Sequence, residues 1–261
     1  MNVVVLVKAV PNTSADERLL PDLRLDRAAA DPIINPNDEY ALEVAIRFAE
    51  SVAGVHTTML SMGPAGAWPG LTKGIAAGIH EAILVTDPAL EGSCALSTAN
   101  VLAAALKRAE FDLAIAGLDT PDGRAGIVPA AVASLLGVPF LSHASAVSVH
   151  GERVEIRRLR DDGHETLEAA LPALVTVTQT VGELRYPTLR GIMAARSRRP
   201  TTWSLTELGL TAADVGGQRA STAVLGVESP APRPPTKVVT GTADAAVREV
   251  LQFLAERRLL P

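Results

Sequence analysis

The sequence predicts an α/β fold: a doubly wound, mainly parallel sheet with added antiparallel strands and an extended C-terminal arm. Three observations carry this. Short β-branched apolar runs alternate with helix-period segments over the first half of the chain. After Gly137 the pattern changes to period-two alternation around tight-turn residues. From Gly209 to Thr240 the chain is rich in Gly, Pro, Ser and Thr, and an amphipathic segment follows.

The elements follow in order. Val3 to Val10 is an apolar β-rich run stopped by Pro11, and a polar irregular stretch extends to Asp31. Asn35-Pro36-Asn37-Asp38-Glu39 then opens a helix, with Asn37 or Asp38 as its expected cap and acidic residues suited to the helix dipole. Leu42, Ala45, Ile46 and Ala49 give that helix its buried stripe. His56 to Met62 is the next strand, ended by Gly63-Pro64, and a helix from about Ala67 to Ala77 follows. Glu81 to Thr86 is a third strand, and Ser93 is the expected cap of a helix reaching Arg108. Leu113 to Ala116 is a fourth strand, and a loop beginning at Gly117 leads into a helix expected from about Ala125 to Leu136.

Ala144 to Val149 and Val154 to Leu159 flank His150-Gly151-Glu152 as a hairpin. Glu165 to Ala170 and Ala173 to Thr178 are further strands, expected to be antiparallel additions to the same domain. Glu183 to Pro200 has mixed character. Pro230, Pro232, Pro234 and Pro235 mark an extended tail, and a helix from about Thr242 to Arg257 carries Ala246, Val250, Phe253 and Leu254 on one side. That arm either packs on its own domain or embraces another subunit. Strand–helix alternation with right-handed crossovers makes the sheet Rossmann-like, and ligands of such sheets lie beyond the carboxyl ends of the strands.

Bulk properties exclude several roles. The 261 residues are 48% hydrophobic with a formal net charge of −5, so no basic field attracts nucleic acid. Arg157, Arg158 and Arg160, and again Arg196, Arg198 and Arg199, form local runs that are either solvated faces or a docking surface for an acidic partner. Only 3% of residues are aromatic, too few for a base-stacking platform. Cys94 is the single cysteine and reads as a small inert near-core residue. His56, His80, His143, His150 and His164 show no metal-ligand spacing. Neither a secretion signal nor a membrane-length apolar run is expected, which points to a cytoplasmic protein without membrane insertion.

The chain lacks a GxGxxG fingerprint in its first βα unit and lacks a Walker lysine loop. The best anion site is the Gly117 to Gly126 loop, because it follows a strand and opens a helix. Gly123 and Gly126 would let the backbone approach a phosphate, and Asp122 could cap the helix or bond a ribose. The same loop also reads as a plain capped connection. No nucleophile, acid or base stands out, so binding or electron carrying fits better than catalysis.

The ordered motifs VVVLVKAVP (Val3 to Pro11), NPNDEYAL (Asn35 to Leu42), LSMGP (Leu60 to Pro64), ILVTD (Ile83 to Asp87), AGLDTPDGRAGIVPA, LPALVTVT and RYPTLRGIMAA (from Arg185) resemble electron-transfer flavoprotein beta subunits. The resemblance runs from Met1 to about Leu210. It implies a nucleotide-binding domain over residues 1–210, and a C-terminal arm over 211–261 that packs on an alpha subunit. It implies a heterodimer whose alpha subunit holds the redox FAD, taking electrons from dehydrogenases of the acyl-CoA dehydrogenase type and passing them toward a membrane quinone oxidoreductase. The beta subunit would itself be no enzyme and would hold a structural AMP.

By the same resemblance the nucleotide site falls on Leu6, Val7, Asn35, Pro36, Asn37, Asp38, Met62, Gly117, Asp122, Gly123, Arg124, Ala125, Gly126, Ile127 and Val128. The partner-recognition segment falls on Arg185, Tyr186, Leu189, Ile192 and Met193, with Leu189 as an exposed anchor and Glu165 meeting an arginine of the dehydrogenase. Ile127 and Pro129 stand where many family members have Gln and Gly, and Arg124 where an acid is common. That favours the single-FAD carrier over an electron-bifurcating relative with a second FAD. Competing expectations are a stand-alone adenine-nucleotide sensor of the universal-stress type and an adenylate-forming or amidating enzyme; the latter needs an ATP phosphate loop that the sequence does not contain.

Overall fold

The computed structural model describes residues 1–14, 17–228, 230–233 and 235–260; Pro234, noted above in the proline-rich tail, lies outside them. The chain divides into two compact units, Met1–Leu225 and Gly226–Pro261.

The first unit is built on a nine-stranded sheet. In chain order its elements are β1 (Asn2–Leu6), β2 (Ala9–Pro11), β3 (Pro32–Ile34), α1 (Pro36–Ser51), β4 (His56–Met62), α2 (Trp68–Ala77), β5 (Glu81–Val85), α3 (Ala95–Ala109) and β6 (Leu113–Ala116). They continue with α4 (Val128–Leu136), β7 (Phe140–His150), β8 (Arg153–Arg160), β9 (Gly163–Ala170), β10 (Ala173–Val177), α5 (Leu189–Ser197) and β11 (Thr201–Trp203). The sheet order is β11-β5-β4-β1-β6-β10-β7-β8-β9, and β2 and β3 pair separately. Every neighbour from β11 to β7 is parallel, and β8 and β9 extend the sheet antiparallel.

Alternation along β1 explains the double winding. Val3, Val5 and Val7 point to the face covered by α1 and α2, packing with Leu42, Ile46 and Leu71. Val4 and Leu6 point to the face covered by α3 and α4, packing with Leu102, Leu106 and Val132. Each such fully buried aliphatic side chain contributes about 1.5–3 kcal/mol, so the two faces, not the local propensities of five-residue strands, hold the sheet together. The chain leaves β1 toward β4 on one side and returns to β6 on the other, which puts the topological switch point between β1 and β6.

Several sequence expectations are corrected. The run from Val3 to Val10 is two strands, because the Lys8 N–H leaves the ladder to bond the Asp38 carboxylate. The cap of α1 is Asn35, not Asn37 or Asp38; Pro36 takes the first helical position, where its missing N–H costs nothing. The helix α3 starts at Ala95 with Cys94 as its cap residue, while the Ser93 hydroxyl donates to the Leu90 carbonyl instead. The Ala173 to Thr178 run is not antiparallel: β10 inserts parallel between β6 and β7, and all five of its residues are buried. The mixed segment after Glu183 contains the helix α5 and the short edge strand β11, which pairs with β5. The stretch after Gly209 is not all extended tail. Val215 is fully buried, and the Gly217 N–H bonds the Glu91 carbonyl, so this part belongs to the first unit.

The second unit contains α6 (Ala243–Glu256), capped by the Thr242 side chain. Val247, Val250, Leu251 and Phe253 on it are exposed. No helix among the described residues is long and apolar enough to cross a membrane.

Candidate functional site

The carboxyl ends of β1 and β6 meet the first turn of α1, and the loop after β6 is shaped there. Asp38 is buried, and its two carboxylate oxygens accept the Lys8 N–H at 2.8 Å and the Gly117 N–H at 3.2 Å. Burial pushes its carboxyl up to about 7, against the lowering effect of those backbone donors. Asn35 and Asn37 each donate a side-chain N–H to the Asp119 carbonyl at 2.9 Å. The Asp119 carboxylate accepts the Thr120 N–H at 2.7 Å and the Gly126 N–H at 3.0 Å, which folds the loop back on itself.

Gly117 is required here. A Cβ on it would lie 2.6 Å from the Asn37 carbonyl carbon and from an Asp38 carboxylate oxygen. Arg124 and Gly126 take left-handed φ values of 46° and 60°, so the loop opens outward before α4 begins.

A charged triad closes the same end. The Asp122 side chain is 3% exposed and lies 2.8 Å from the Lys8 ammonium and 2.8 Å from the Arg27 guanidinium. Burial alone would raise its carboxyl; the Lys8 ammonium, with help from Thr120 and Arg27, outweighs burial and holds it below the ordinary value. Asp122 therefore does not cap α4, as the sequence suggested it could. The helix starts at Val128, later than expected, with Ile127 before it and no side-chain cap. Its first N–H groups remain open to an anion, except at Pro129, which has none.

The structure brings the sequence-predicted nucleotide residues to one end of the sheet but gives them different roles. The side chains of Leu6 and Val7 are buried in opposite cores, so only their backbone is at the site. Met62 packs part-buried at the end of β4. Pro36, Gly123, Ala125 and Ile127 are exposed, and Val128 is half-buried. Arg124 is exposed, with its Nε donating to the Pro121 carbonyl at 3.0 Å. Sequence reasoning missed Lys8, Arg27 and Asp119. Lys8 could have been found as a cation at the end of the first strand; Arg27 arrives from the irregular 12–31 stretch, which has no periodicity to place it.

The predicted recognition segment lies on another face. Arg185 does not point outward: its backbone N–H and Nε reach Glu43 at 3.1 Å each, its Nη2 at 3.0 Å, and its Nη1 reaches Glu50 at 2.5 Å. Burial would raise the Glu43 carboxyl, and Arg185 with Arg47 brings it below the ordinary value. Thr188 caps α5, and Gly191 sits so close to α2 that a Cβ would collide with the Ala76 carbonyl. On that fixed base Tyr186 and Leu189 are 97% and 77% exposed, and Met193 and Ile192 are also exposed. Glu165 pairs with Arg158 across β8 and β9, and with Arg160 at 3.6 Å.

Two grooves lie away from the switch point: one of about 900 Å³ between α2, α5 and β11, and one of about 620 Å³ along α3. No cluster among the described residues could hold a metal ion. Cys94 is half-buried at the start of α3. Burial would raise its thiol, but the N–H groups of Ser97 and Ser221 bring it down to about 7, so it is less inert than the sequence suggested.

Residues 22–208 match the family model for the electron transfer flavoprotein domain. The chain is 36% identical to the electron transfer flavoprotein subunit beta of Mycobacterium leprae, covering 99% of both chains. It is 31% identical to the protein of that name in Thermoanaerobacterium thermosaccharolyticum, covering 100% of both. It is 30% identical to the caffeyl-CoA reductase-Etf complex subunit CarD of Acetobacterium woodii, covering 98% of this chain and 97% of that one. With a Rossmann-like sheet and relatives matched from end to end, the chain belongs to the electron transfer flavoprotein family, among its beta subunits.

Proposed function

We propose that this chain is the non-catalytic half of a cytoplasmic, heterodimeric electron carrier. An alpha subunit holds the redox-active FAD, and this subunit holds AMP and presents the surface on which the electron donor docks. The observation that carries the reading is α5 and the segment leading into it: Tyr186 before the helix and Leu189, Ile192 and Met193 on it stand exposed above a base fixed by Arg185 on Glu43. A fixed base with exposed apolar anchors suits a transient interface, because little ordering entropy is lost on docking.

A mononucleotide fits the switch-point loop. The uncapped start of α4 offers backbone donors to one phosphate, and Lys8, Arg27 and Arg124 supply positive charge around it. Flavin, when bound to the complex, supplies the one- and two-electron chemistry; this chain's residues position and shield. Pro129 removes one donor from the α4 turn, which favours AMP over the diphosphate of a second FAD, and thus a simple carrier over a bifurcating one. The end-to-end family match leaves a stand-alone stress-type sensor without support. The proposed donors are acyl-CoA-type dehydrogenases and the proposed acceptor a membrane quinone oxidoreductase, with the part of the arm beyond the first unit, 226–261, packing on the alpha subunit.

The test is functional. The purified heterodimer is mixed with an acyl-CoA dehydrogenase and its substrate under anaerobic conditions, and flavin absorbance is followed. Reduction of the heterodimer flavin that slows in a Leu189→Ala variant supports the reading. Equal rates in both proteins refute the docking surface.

A further inference from the structure

We propose that the groove between α2, α5 and β11 receives an apolar side chain of the electron donor that is bracketed by carboxylates, and that Arg196 and Arg199 at its rim pair with those carboxylates. The inference rests on the docking reading above and adds a concave, charged contact beside the exposed anchors.

The charge is local and unpaired. Residues 184–206 carry five arginines and no acid, in a chain whose net charge is −5. Arg185 is held by Glu43 and Glu50. Arg190, Arg196, Arg198 and Arg199 are exposed, and none of them pairs with a carboxylate among the described residues. Arg199 donates through Nη1 to the Arg196 and Arg198 carbonyls at 3.3 and 2.9 Å, which turns it back over the end of α5. The other arginine run differs: Arg158 and Arg160 meet Glu165 across β8 and β9, and Arg157 meets His164. Of the two runs singled out in the sequence, only the second is left for a partner.

That run borders a groove of about 900 Å³. Gly191 seats α5 against α2 at the Ala76 carbonyl, and the chain then passes Pro200 into β11 beside β5. Trp68, Pro69, Ile192 and Pro200 give the groove an apolar lining; Lys73, Arg196 and Arg199 give it positive charge, and no acid lines it. Lys73 is paired with Glu39 at 2.5 Å, so the two arginines are the cations offered to a partner. Ile192 belongs both to the groove and to the exposed face of α5, which makes the two surfaces continuous.

An apolar lining under a guanidinium rim selects its occupant. An apolar side chain alone would cover the arginines without pairing them, and a carboxylate alone would gain nothing from the lining. An apolar side chain flanked by carboxylates satisfies both. The rest of the chain is negative, so an acidic donor surface is repelled elsewhere and steered to this face.

The experiment uses the full heterodimer, reduced by an acyl-CoA dehydrogenase and its substrate, with KM for the heterodimer and kcat measured over a range of ionic strength. Arg196→Glu reverses one rim charge, and Lys107→Glu, exposed on α3, is the matched control. Gly66→Phe fills the groove without changing charge; a Cβ at Gly66 meets nothing within 4 Å, so the substitution meets no backbone. The proposal predicts that Arg196→Glu raises KM about fivefold at low salt, with kcat unchanged and the difference shrinking as salt screens the pair. Lys107→Glu matches the wild type. Gly66→Phe raises KM about tenfold at every ionic strength, the size of one apolar side-chain burial lost. Wild-type KM in either groove variant overturns the proposal, because the occupant needs both lining and charge. If Leu189→Ala is slowed in the same assay, the groove alone falls and the α5 anchors stand; if Leu189→Ala also matches the wild type, or no reduction occurs at all, the docking reading falls with it. Flotation with vesicles of phosphatidylcholine and phosphatidylglycerol tests a lipid surface: binding lost in Arg196→Glu, with KM unchanged, assigns the arginines to lipid and overturns the proposal.

Discussion

Arg185 holds Glu43 through three nitrogens, its backbone N–H, Nε and Nη2, all within 3.0–3.1 Å of a side chain that is only 5% exposed. This grip ties the segment leading into α5 to the middle of α1. Replacing Glu43 by Gln removes the charge and one acceptor direction from a nearly buried site. A loss of about 1–3 kcal/mol of stability is expected, the usual cost of an unsatisfied buried donor. Urea denaturation checks it, and the same variant is expected to slow reduction by the dehydrogenase.

Leu189 is the opposite case. It is 77% exposed, so Leu189→Ala should leave stability within about 0.5 kcal/mol of wild type. If the leucine is buried only on docking, the complex with the dehydrogenase should weaken by about 1.5–3 kcal/mol. Denaturation curves alongside steady-state KM for the heterodimer separate the two effects.

Two glycines test the close approaches. Gly117→Ala puts a Cβ against backbone atoms of Asn37, and Gly191→Ala puts one against the Ala76 carbonyl. Neither obstacle is a flexible side-chain end, so each variant should lose about 1–3 kcal/mol. Gly117→Ala should affect AMP retention and Gly191→Ala the dehydrogenase KM, because they displace different elements. Thermal melts with these two assays distinguish them.

The acids at the switch point respond to pH in opposite directions. Asp122 has a depressed folded value, so its contribution is present above the unfolded value of 3.8 and is lost as pH falls through the lower folded value. Asp38 is raised to about 7, so its contribution is full below 3.8 and is lost as pH rises through about 7. Wild type should therefore lose stability relative to Asp38→Asn as pH rises across that window. Urea midpoints of the two proteins at either end of the window measure it; parallel midpoints would contradict the buried-carboxylate account. A buried charge that costs stability and holds two strand ends is a trade made at a functional site.

The fold was legible where periodicity is strong. The runs from His56 to Met62 and Leu113 to Ala116 are the observed strands residue for residue: Leu113 to Ala116 is wholly apolar, and His56 to Met62 mixes apolar residues with the β-branched Thr57 and Thr58, which suits a strand covered on both faces. The apolar and β-branched character of Ala173 to Val177, Thr176 being its one polar residue, carried the same message about burial on two faces, but nothing local says that its neighbours are β6 and β7. The strand β11 is three residues long and exists through its pairing with β5, so no local pattern reveals it. At the site, the glycines and the strand-to-helix position of the 117–126 loop were readable. The Lys8–Asp122–Arg27 triad was not, since its members are joined only by the fold.

The central claim is that this subunit holds a mononucleotide while its partner holds the flavin. The most direct measurement is the count of FAD and AMP released on denaturing the heterodimer purified from co-expression with its alpha subunit. The account predicts one FAD and one AMP per heterodimer. Two FADs, or no adenine mononucleotide, would contradict it.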